Sequence, residues 1–501
     1  MRLLAMALLV LAGNAKASGF FFGDNGTKSL LQGGAFVAQA DDVTAFVLNP
    51  AGLAQLDGLH FAFDSQFMSQ QVTFLRQDPG FDPANPSTLI NSVSNKGGLF
   101  YLPLLGISYG FPIAGRTFTV AVAADAPPSV GRYDFGANYT TDAAGHFVET
   151  PKKFAPQRYA LIRDDILVLY PTLSIAYAIA PWLQLGISGQ VVITNFSFTQ
   201  SLYAGDSLGM NPMNQTAEDP NFDAQVAVNL PGKLTYTAIF GVLSKPTNWL
   251  SIGASYRPPI PVSATGEKNA NDPKSTEGVS IVLSPLLAKT ASVEGSKATL
   301  ALTLPMELRA GVRITPTSRL GINADFVYQG WQSVDALRLT PSDMYLVVNG
   351  VRTAVAPVTI QKNWQASFSG RLGAGFELFR ELTLHAGVFY ETGASPNSFY
   401  SIDFANPSRV FVTGGASVHL GPIDLVGGVS VSPVVTTVVQ NGELRRGQTD
   451  PTITAGVINS GIYTSGGISG TIGIRGHFLE HGARPQGDAP SLLSMFSKKA
   501  E

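Results

Sequence analysis

The sequence predicts an all-β protein, a 14-stranded antiparallel transmembrane β-barrel with an N-terminal hatch that plugs its lumen. Three observations predict this class. Apolar and polar residues alternate along many extended segments, short and long connections alternate between those segments, and the chain combines low charge with abundant glycine. Each observation excludes a different set of alternatives.

The composition sets the broad class. Of the 501 residues, 45% are hydrophobic and 14% are charged, whereas about a quarter of a soluble domain is charged. The chain has no Cys, which excludes disulfides, thiolate metal sites and a cysteine nucleophile. The net charge of −2 gives no electrostatic reason to expect nucleic acid as a partner. The six His lack metal-ligand spacing, so neither a metal nor another cofactor is expected.

The first 17 residues predict a cleaved signal peptide. Arg2 provides the positive start, residues 3–11 form a short apolar core, and Ala15-Lys16-Ala17 fits a small-x-small cleavage site. The apolar core is too short to span a bilayer. We therefore expect export and cleavage after Ala17. An exported chain can be a soluble periplasmic protein or an outer-membrane barrel, and the alternation described next favours residence in the outer membrane.

Period-two alternation is clear in residues 182–196 and 300–314. In the second segment one predicted face is wholly apolar: Leu300, Leu302, Leu304, Met306, Leu308, Ala310, Val312 and Ile314. Such alternation is typical of a half-buried strand. Fourteen segments fit this pattern: 58–76, 98–112, 116–126, 158–180, 182–200, 233–244, 248–266, 299–315, 318–334, 365–379, 381–391, 409–420, 423–440 and 467–478.

The connections between the segments also follow a pattern. Short ones fall at 113–115, 180–181, 245–248, 315–318, 379–381 and 421–422, and long ones include 127–157, 201–232, 267–298 and 335–364. Outer-membrane barrels have short periplasmic turns and long outer loops. A soluble β-sandwich or propeller is the alternative, but nothing in those folds makes the loops on one side long every time. The even count places both termini on the periplasmic side.

Four tryptophans lie close to predicted strand ends, where membrane barrels carry aromatic girdles. The girdle is therefore expected to contain Trp182, Trp249, Trp331 and Trp364.

Residues 18–57 precede the first strand and do not alternate. In "ADDVTAFVLNPAGLAQL" (40–56), Asp42 can cap a helical turn that ends at Leu48. Pro50 disfavours helix at Asn49, and Gly52 permits a tight turn. The segment is too apolar to remain in water and too irregular to join the wall. A 14-stranded lumen is wide enough to hold it as a hatch.

The hatch carries the most specific resemblance in the chain. Its Gly-Gly-Ala (33–35), Ala-Asp-Asp (40–42) and Asn-Pro-Ala (49–51) stretches resemble the hatch of the FadL-type long-chain fatty acid and hydrocarbon outer-membrane transport family. The motif residues are Asp41, Asp42, Asn49, Pro50 and Ala51. Segments 304–331, 382–396 and 459–478 are similar to later parts of that family, so the resemblance covers the full chain.

Two features depart from the family pattern. The chain continues past Phe478 with a polar segment, whereas the family usually ends on an aromatic strand. We expect 479–501 to be a polar, disordered periplasmic tail. His385 stands where the family often has Arg.

The resemblance implies passive uptake of hydrophobic molecules, such as long-chain fatty acids or hydrocarbons, through a hatch-gated lumen without chemistry. It further implies a kinked third strand through which the ligand leaves laterally into the membrane. Here that strand ends at Asp125, Pro127 and Pro128, and proline cannot donate a ladder hydrogen bond. The alternative is that these prolines only terminate the strand. The implied partners are a hydrophobic ligand, the lipid bilayer and lipopolysaccharide, and the protein is expected to be a monomer.

Charged residues on the predicted lumen face have two interpretations. Glu307, Arg309 and Arg313 share that face, and Asp325 and Arg371 follow on the next strands. They can form ion pairs that neutralise one another inside the barrel. Alternatively, an arginine can bind a ligand carboxylate in a bidentate manner.

Other functions fit the sequence less well. Residues 106–110 match G-x-S-x-G, but they lie within a strand and no helix follows, so an esterase is not expected. One alternative is an accessory or structural barrel of a secretion or surface-attachment system that binds a protein partner. Another is a general hydrophilic porin, against which the plug and the low charge argue.

Overall fold

The computed structural model describes residues 25–76, 92–127, 132–137, 155–204, 220–272, 274–446, 456–479 and 489–491. The predicted signal peptide, residues 18–24 of the hatch, Pro128 and most of the C-terminal tail lie outside the described residues. The wall is a ring of fourteen antiparallel strands. They are β1 (Gly58–Arg76), β2 (Leu99–Ile113), β3 (Arg116–Asp125), β4 (Arg163–Ala180), β5 (Leu183–Tyr203), β6 (Thr235–Thr247), β7 (Leu250–Arg257), β8 (Glu307–Thr317), β9 (Leu320–Gln329), β10 (Ser367–Phe379), β11 (Leu382–Glu391), β12 (Arg409–Leu420), β13 (Ile423–Val439) and β14 (Gly461–Phe478).

The ring closes between its first and last strands. Residues of β1 pair with β14 in one continuous register, from Leu59 opposite Phe478 to Arg76 opposite Gly461. Every other strand pairs with its neighbours in chain order. A closed sheet has no unpaired edge, which is the condition for a β-structure in lipid. The predicted fold class and strand count are confirmed.

The six predicted short connections are tight turns at one end of the barrel. Ala114 and Gly115 between β2 and β3 have φ angles of 49° and 74°, and Gly421 between β12 and β13 has a φ of 65°. Such left-handed conformations are typical of two-residue hairpin turns. The seven long connections lie at the opposite end, so the barrel has a short-turn end and a long-loop end.

The outward face is apolar, as a lipid-facing wall requires. Trp182 and Trp249 are about half exposed, at 53% and 56%, and lie in two of the short turns. They fit the predicted aromatic girdle. Trp331 and Trp364 are 0% and 4% exposed and belong to the apolar cluster inside the barrel. The girdle prediction is therefore wrong for these two residues.

The predicted apolar face of 300–314 is not continuous. Leu304 and Glu307 are both buried, because Pro305 and Met306 separate the strand Ala298–Leu304 from β8 and shift the alternation by one residue. Leu300, Leu302 and Leu304 consequently face inward, while Leu308 and Val312 face outward. Proline interrupts a ladder because it has no N–H to donate.

The same interruption occurs in the neighbouring strand. Pro258 and Pro259 separate β7 from the strand Ile260–Gly266, and Arg257 and Ile260 are both buried. Beyond these breaks a separate four-stranded sheet forms at the long-loop end. Its strands are Ile260–Gly266, Ala298–Leu304, Ala336–Pro341 and Val358–Gln361.

The remaining short elements also belong to the long-loop end. Four strands extend the main sheet: Val93–Ser94, Arg132–Asp134, Asp223–Pro231 and Gly278–Leu283. A three-stranded sheet contains Ala291–Glu294, Tyr345–Val348 and Val351–Ala354. The 3₁₀ turns there are Pro220–Phe222, Leu287–Lys289, Trp331–Ser333, Asn397–Phe399 and Ile402–Phe404. Together these elements enclose a large apolar interior that includes Phe74, Tyr133, Trp331, Trp364 and Tyr463.

The hatch contains two short helices and a 3₁₀ turn: α1 (Thr27–Leu31), α2 (Ala45–Leu48) and Pro50–Gln55. Asn49 is extended, with a φ of −156°, as Pro50 predicted. The carboxylate of Asp42 accepts the Thr44 N–H at 2.8 Å and so fixes the entry to α2. Among the described residues, no helix has the length and apolar character that crossing a bilayer would require.

Candidate functional site

The hatch lies inside the barrel, and the wall satisfies its backbone polar groups. Ser188 Oγ donates to Phe46 O at 2.7 Å, and Ser255 Oγ donates to Leu48 O at 2.5 Å. The Asp325 carboxylate accepts the N–H groups of Phe36 and Val37 at 2.7 and 2.8 Å. A buried irregular segment must pair its backbone groups in some such way. Asp325 is therefore an anchor of the hatch.

Asn49 connects two parts of the hatch to the wall. Its amide donates to Val37 O at 2.8 Å and to Val242 O of β6 at 3.0 Å, and its side-chain oxygen accepts the Ala51 N–H at 3.2 Å. The side chain is fully buried. Pro50 at the start of the 3₁₀ turn fixes the backbone that follows. The Asn-Pro-Ala motif thus holds the hatch in its position.

The firmest polar contact between hatch and wall is centred on Arg475 of β14. Its guanidinium donates to Asp64 of β1 at 2.6 and 2.9 Å and to Asp42 of the hatch at 3.0 Å. Asp64 also accepts the Thr27 N–H at 2.8 Å. All three charged side chains are at most 10% exposed. Asp42 is therefore part of a buried ion-pair cluster that joins the hatch to both strands of the barrel seam.

Glycines of the wall allow the hatch backbone to approach closely. A Cβ at Gly241 would overlap with Asn49 Oδ1, one at Gly186 with the Pro50 carbonyl, and one at Gly253 with Val37 O. Equivalent overlaps with the hatch backbone occur at Gly110, Gly373 and Gly387. Gly52 of the hatch has no room for a Cβ because Ala40 lies against it. The tight turn that the sequence predicted is not the reason. Part of the glycine excess in the sequence thus has a structural cause.

The described ladder beside β3 stops after Asp125, at Ala126 and Pro127, while Pro128 lies outside the described residues. Pairing between β3 and β4 ends at Asp125 opposite Tyr170. Ala126 and Pro127 belong to no strand, so Val168 and Leu169 of β4 lack a ladder partner on that side. The short strand Arg132–Asp134 pairs with β4 further along, at Asp165, and the residues between, 128–131, lie outside the described residues. We call this interruption, with Ala126 on its β3 side, the β3–β4 gap.

The hatch contacts the wall at this gap. Asn25 Nδ2 donates to Asp125 Oδ2 at 2.5 Å, and both side chains are buried. The other oxygen, Asp125 Oδ1, has no hydrogen-bond partner among the described residues. This contact places Asn25 of the hatch beside the point where the β3–β4 ladder stops.

An apolar cluster crosses the lumen at the same level. Met68, Leu102 and Ala126 pack with Phe389 of β11 and Phe411 of β12, together with Phe100 and Leu169. Ala126 and Leu169 are the residues that flank the gap. The gap is therefore lined by apolar side chains.

The predicted lumen charges divide into three groups. Arg309 Nε donates to Glu307 at 2.7 Å, and Gln329 donates to the same carboxylate at 2.8 Å. Arg371 donates to Ser369 Oγ at 3.1 Å and lies over the ring of Phe389. Arg313 points elsewhere, into the cavity at the short-turn end. Of the predicted set only Arg313 is thus set apart, because Asp325 and Arg371 lie directly opposite one another on β9 and β10.

A polar cavity of about 620 Å³ lies between the hatch and the short turns. Lys28 forms an ion pair with Asp41 at its wall, with Nζ–O distances of 2.8 and 2.9 Å. Burial would raise the pKa of Asp41, but Lys28 and Arg313 outweigh it and hold that pKa well below its usual value. Four of the six His line the cavity: His60, His385, His419 and His477. Among the described residues no cluster of metal-ligand side chains exists.

Three residues of the C-terminal tail are described, and they contact the wall. Arg380 of the β10–β11 turn donates its N–H to Pro490 O at 3.2 Å and its Nε to Ala489 O at 2.8 Å. Ser491 Oγ donates to Glu381 at 2.5 Å. The disorder expected for the tail thus does not extend to residues 489–491.

The sequence analysis did not identify the Arg475–Asp64 pair or Asn25. The pair could have been predicted from the closure of the barrel. Since β1 must pair with β14, the inward-facing Asp64 and Arg475 become diagonal neighbours across the seam, with Asp64 opposite Gly473. Nothing in the sequence near Asn25 indicates its partner, which lies 100 residues away.

These features define an outer-membrane transport barrel with an internal hatch. Residues 8–425 match the family model described as outer membrane protein transport protein (OMPP1/FadL/TodX). The chain belongs to this family, whose members are outer-membrane transporters of hydrophobic compounds and not enzymes. No curated protein sequence matches the chain.

Solved structures have the same fold. A Pseudomonas aeruginosa FadL homologue matches with a TM-score of 0.68 and 17% identity, over 92% of this chain and all of the other. The Ralstonia pickettii toluene transporter TbuX matches with a TM-score of 0.59 and 16% identity, over 91% and 98% of the two chains. The P. putida toluene transporter TodX gives 0.60 and 13%, over 91% and 99%. At these identities the similarity establishes the fold alone.

Proposed function

We propose that this protein admits small hydrophobic molecules at its long-loop end and releases them sideways into the outer membrane through the β3–β4 gap. The observation that carries this proposal is the coincidence of an interrupted wall ladder with an apolar lining. An apolar ligand loses no solvation when it moves from Leu102, Ala126 and Leu169 into lipid.

The route straight through the barrel is less favourable for such a ligand. The hatch lies across it, with its backbone hydrogen-bonded to strands around the wall, and the cavity beyond is polar and charged. A hydrophobic molecule would have to displace the hatch and then enter polar surroundings. The hatch is proposed to gate the lumen locally, through the Asn25–Asp125 contact, while the rest of it stays in place.

The substrates are proposed to be long-chain fatty acids or hydrocarbons. Two of the similar structures are described as toluene transporters and one as a FadL homologue, and the long-loop half of this lumen is apolar and aromatic. The two buried arginines of that half, Arg158 and Arg409, each form an ion pair with a carboxylate, at 2.7 and 3.1 Å, so their charges are neutralised within the protein. Mass spectrometry of lipophilic compounds that co-purify with the folded protein would identify the substrate class. The protein is proposed to act as a monomer surrounded by lipid and lipopolysaccharide.

Crosslinking the gap tests the exit route. The chain has no Cys, so Ala126→Cys with Leu169→Cys introduces one possible disulfide. Position 169 would face position 126 if the ladder continued past Asp125 and Tyr170. Oxidation should abolish uptake of a radiolabelled fatty acid or toluene by cells, and a reductant should restore it.

The control is a pair in the intact ladder. Val122 and Leu173 are directly opposite one another on β3 and β4 and face outward. Val122→Cys with Leu173→Cys should form a disulfide without changing uptake. Unaltered uptake in the oxidised 126/169 variant, after the crosslink has been verified by mass spectrometry, would rule out lateral exit at this place.

A further inference from the structure

We infer that the stacked pair Phe389 and Phe411 is a size filter in front of the β3–β4 gap, where it sets the maximum width of the molecules that leave. This inference rests on the lateral exit proposed above and adds the residues that select among its substrates. Both rings point into the lumen from β11 and β12, and they are 1% and 5% exposed.

The two rings form a rigid unit. Their centroids are 4.3 Å apart and the planes differ by 12°. The residues are directly opposite one another in the ladder. A cross-strand aromatic pair of this kind adds to the stability of the sheet that carries it.

Arginines lie over the rings and limit their movement. Arg371 is directly opposite Phe389 on β10, and its guanidinium carbon is 5.2 Å from that ring centroid. Arg409 lies 5.0 Å from the centroid of Phe411 and is held by Glu391 and Asn406 at 3.1 and 2.9 Å. A guanidinium over a ring face is attracted by the ring quadrupole, and more strongly where water is excluded. The pair is thus less free to rotate than a single phenylalanine would be.

The position of the pair makes it a filter. Phe389 and Phe411 pack in one apolar cluster with Met68, Leu102 and Ala126, the last of which flanks the gap. A ligand that reaches the gap through this cluster must therefore separate the two rings from these residues. Arg371 and Phe411 contact Phe389 from the neighbouring strands β10 and β12. Ring edges accept alkyl chains and the faces of single aromatic rings.

The filter predicts a width limit on the substrates. Slender molecules, such as n-alkyl chains and monocyclic arenes, should pass, and fused polycyclic hydrocarbons should be rejected. Removing a ring widens the passage on the side formed by β11 and β12. Neither phenylalanine belongs to the hatch, so the hatch sequence is unchanged. Phe389→Ala combined with Phe411→Ala should raise the ratio of phenanthrene to toluene uptake by about tenfold or more, the scale on which apolar pockets discriminate by shape.

The experiment compares uptake of toluene and phenanthrene by cells that carry each variant at equal levels in the outer membrane. The matched control is Phe326→Ala with Phe368→Ala, a second aromatic pair on adjacent strands that faces lipid, with ring centroids 6.0 Å apart. The control should leave the uptake ratio unchanged. Phe389→Leu serves as a second variant that keeps apolar volume in case the double alanine variant folds poorly.

The outcomes separate the filter from the exit route. A raised ratio in the alanine variant, with the control unchanged, supports the filter. An unchanged ratio in folded Phe389 and Phe411 variants that still transport toluene overturns it, while lateral exit stands. If the wild-type protein transports neither compound nor any fatty acid, the proposed function fails, and the filter fails with it.

Discussion

Replacing Arg475 with methionine should loosen the hatch. Arg475 is the centre of a buried cluster in which one guanidinium serves Asp42 of the hatch and Asp64 of the wall through bonds of 2.6, 2.9 and 3.0 Å. Arg475→Met keeps much of the side-chain volume but leaves two carboxylates close together without a cation. The local effect should therefore be large.

The magnitude follows from the burial of the three groups. Removing one partner of a buried ion pair costs about 3–5 kcal/mol, because the other charge remains desolvated. If the hatch detaches locally, its open population should rise by roughly 10²- to 4 × 10³-fold, at about 1.4 kcal/mol per factor of ten. The Thr27 N–H, which donates to Asp64, should report this opening.

Hydrogen exchange followed by mass spectrometry is the assay. Peptides covering residues 25–48 should exchange faster in Arg475→Met, while peptides from β6 to β10 should not change. Adding Asp64→Asn should restore part of the protection, because it removes one of the stranded charges. Arg352→Met is the control, since the Arg352–Glu294 pair is about half exposed on both sides and should matter by at most about 1 kcal/mol. Unchanged hatch exchange in a folded Arg475→Met protein would refute this reasoning.

The remaining predictions concern a glycine substitution, the lumen arginines, the response of the hatch to acid and the cleavage of the signal peptide. Gly241→Val should disturb the hatch, because its side chain would overlap with Asn49, whereas Gly370→Val, which has open space around it, should be tolerated; heat-modifiability on gels distinguishes the two. Arg309→Ala or Arg371→Ala should lower fatty-acid affinity if an arginine binds the carboxylate; unchanged affinity in a folded variant would leave only the ion-pair role. The pKa of Asp41 is held far below its usual value, so its contribution to stability is present above the unfolded pKa, about 3.9, and is lost only as pH falls towards the folded pKa. Hatch protection, corrected for intrinsic exchange, should therefore be equal at pH 7 and pH 5. Mass spectrometry of the mature N-terminus should find cleavage after Ala17; an intact Met1 would contradict the predicted signal peptide.

The sequence was sufficient for the wall. Apolar alternation is a local property of each strand, since successive side chains point to opposite faces, and the short connections show where strands turn. Strand ends such as Arg409–Leu420 and Gly58–Arg76 agree with the predicted segments, whereas the predicted segments 248–266 and 299–315 each divide into two strands. In those two segments Pro258, Pro259 and Pro305 have no N–H to donate, and Leu300 and Leu302 consequently face the lumen and not the lipid.

The hatch motif could be recognised, but its partners could not. Asn49 and Asp42 are close in sequence, yet they bind wall atoms 193 and 433 residues away. The register of every intervening strand determines which inward-facing wall residue contacts the hatch. The sequence does not specify how these registers add up around the ring. The same applies to Asn25 and Asp125, and to the Phe389–Phe411 pair.

The sequence by itself determined that this chain forms a closed membrane wall of fourteen strands around an apolar, irregular N-terminal segment, because both facts follow from patterns a few residues long. Only the tertiary structure decided where the wall is interrupted, which charges hold the hatch and which rings face the interruption. Those contacts join residues distant in the chain, and only barrel closure brings them within bonding distance.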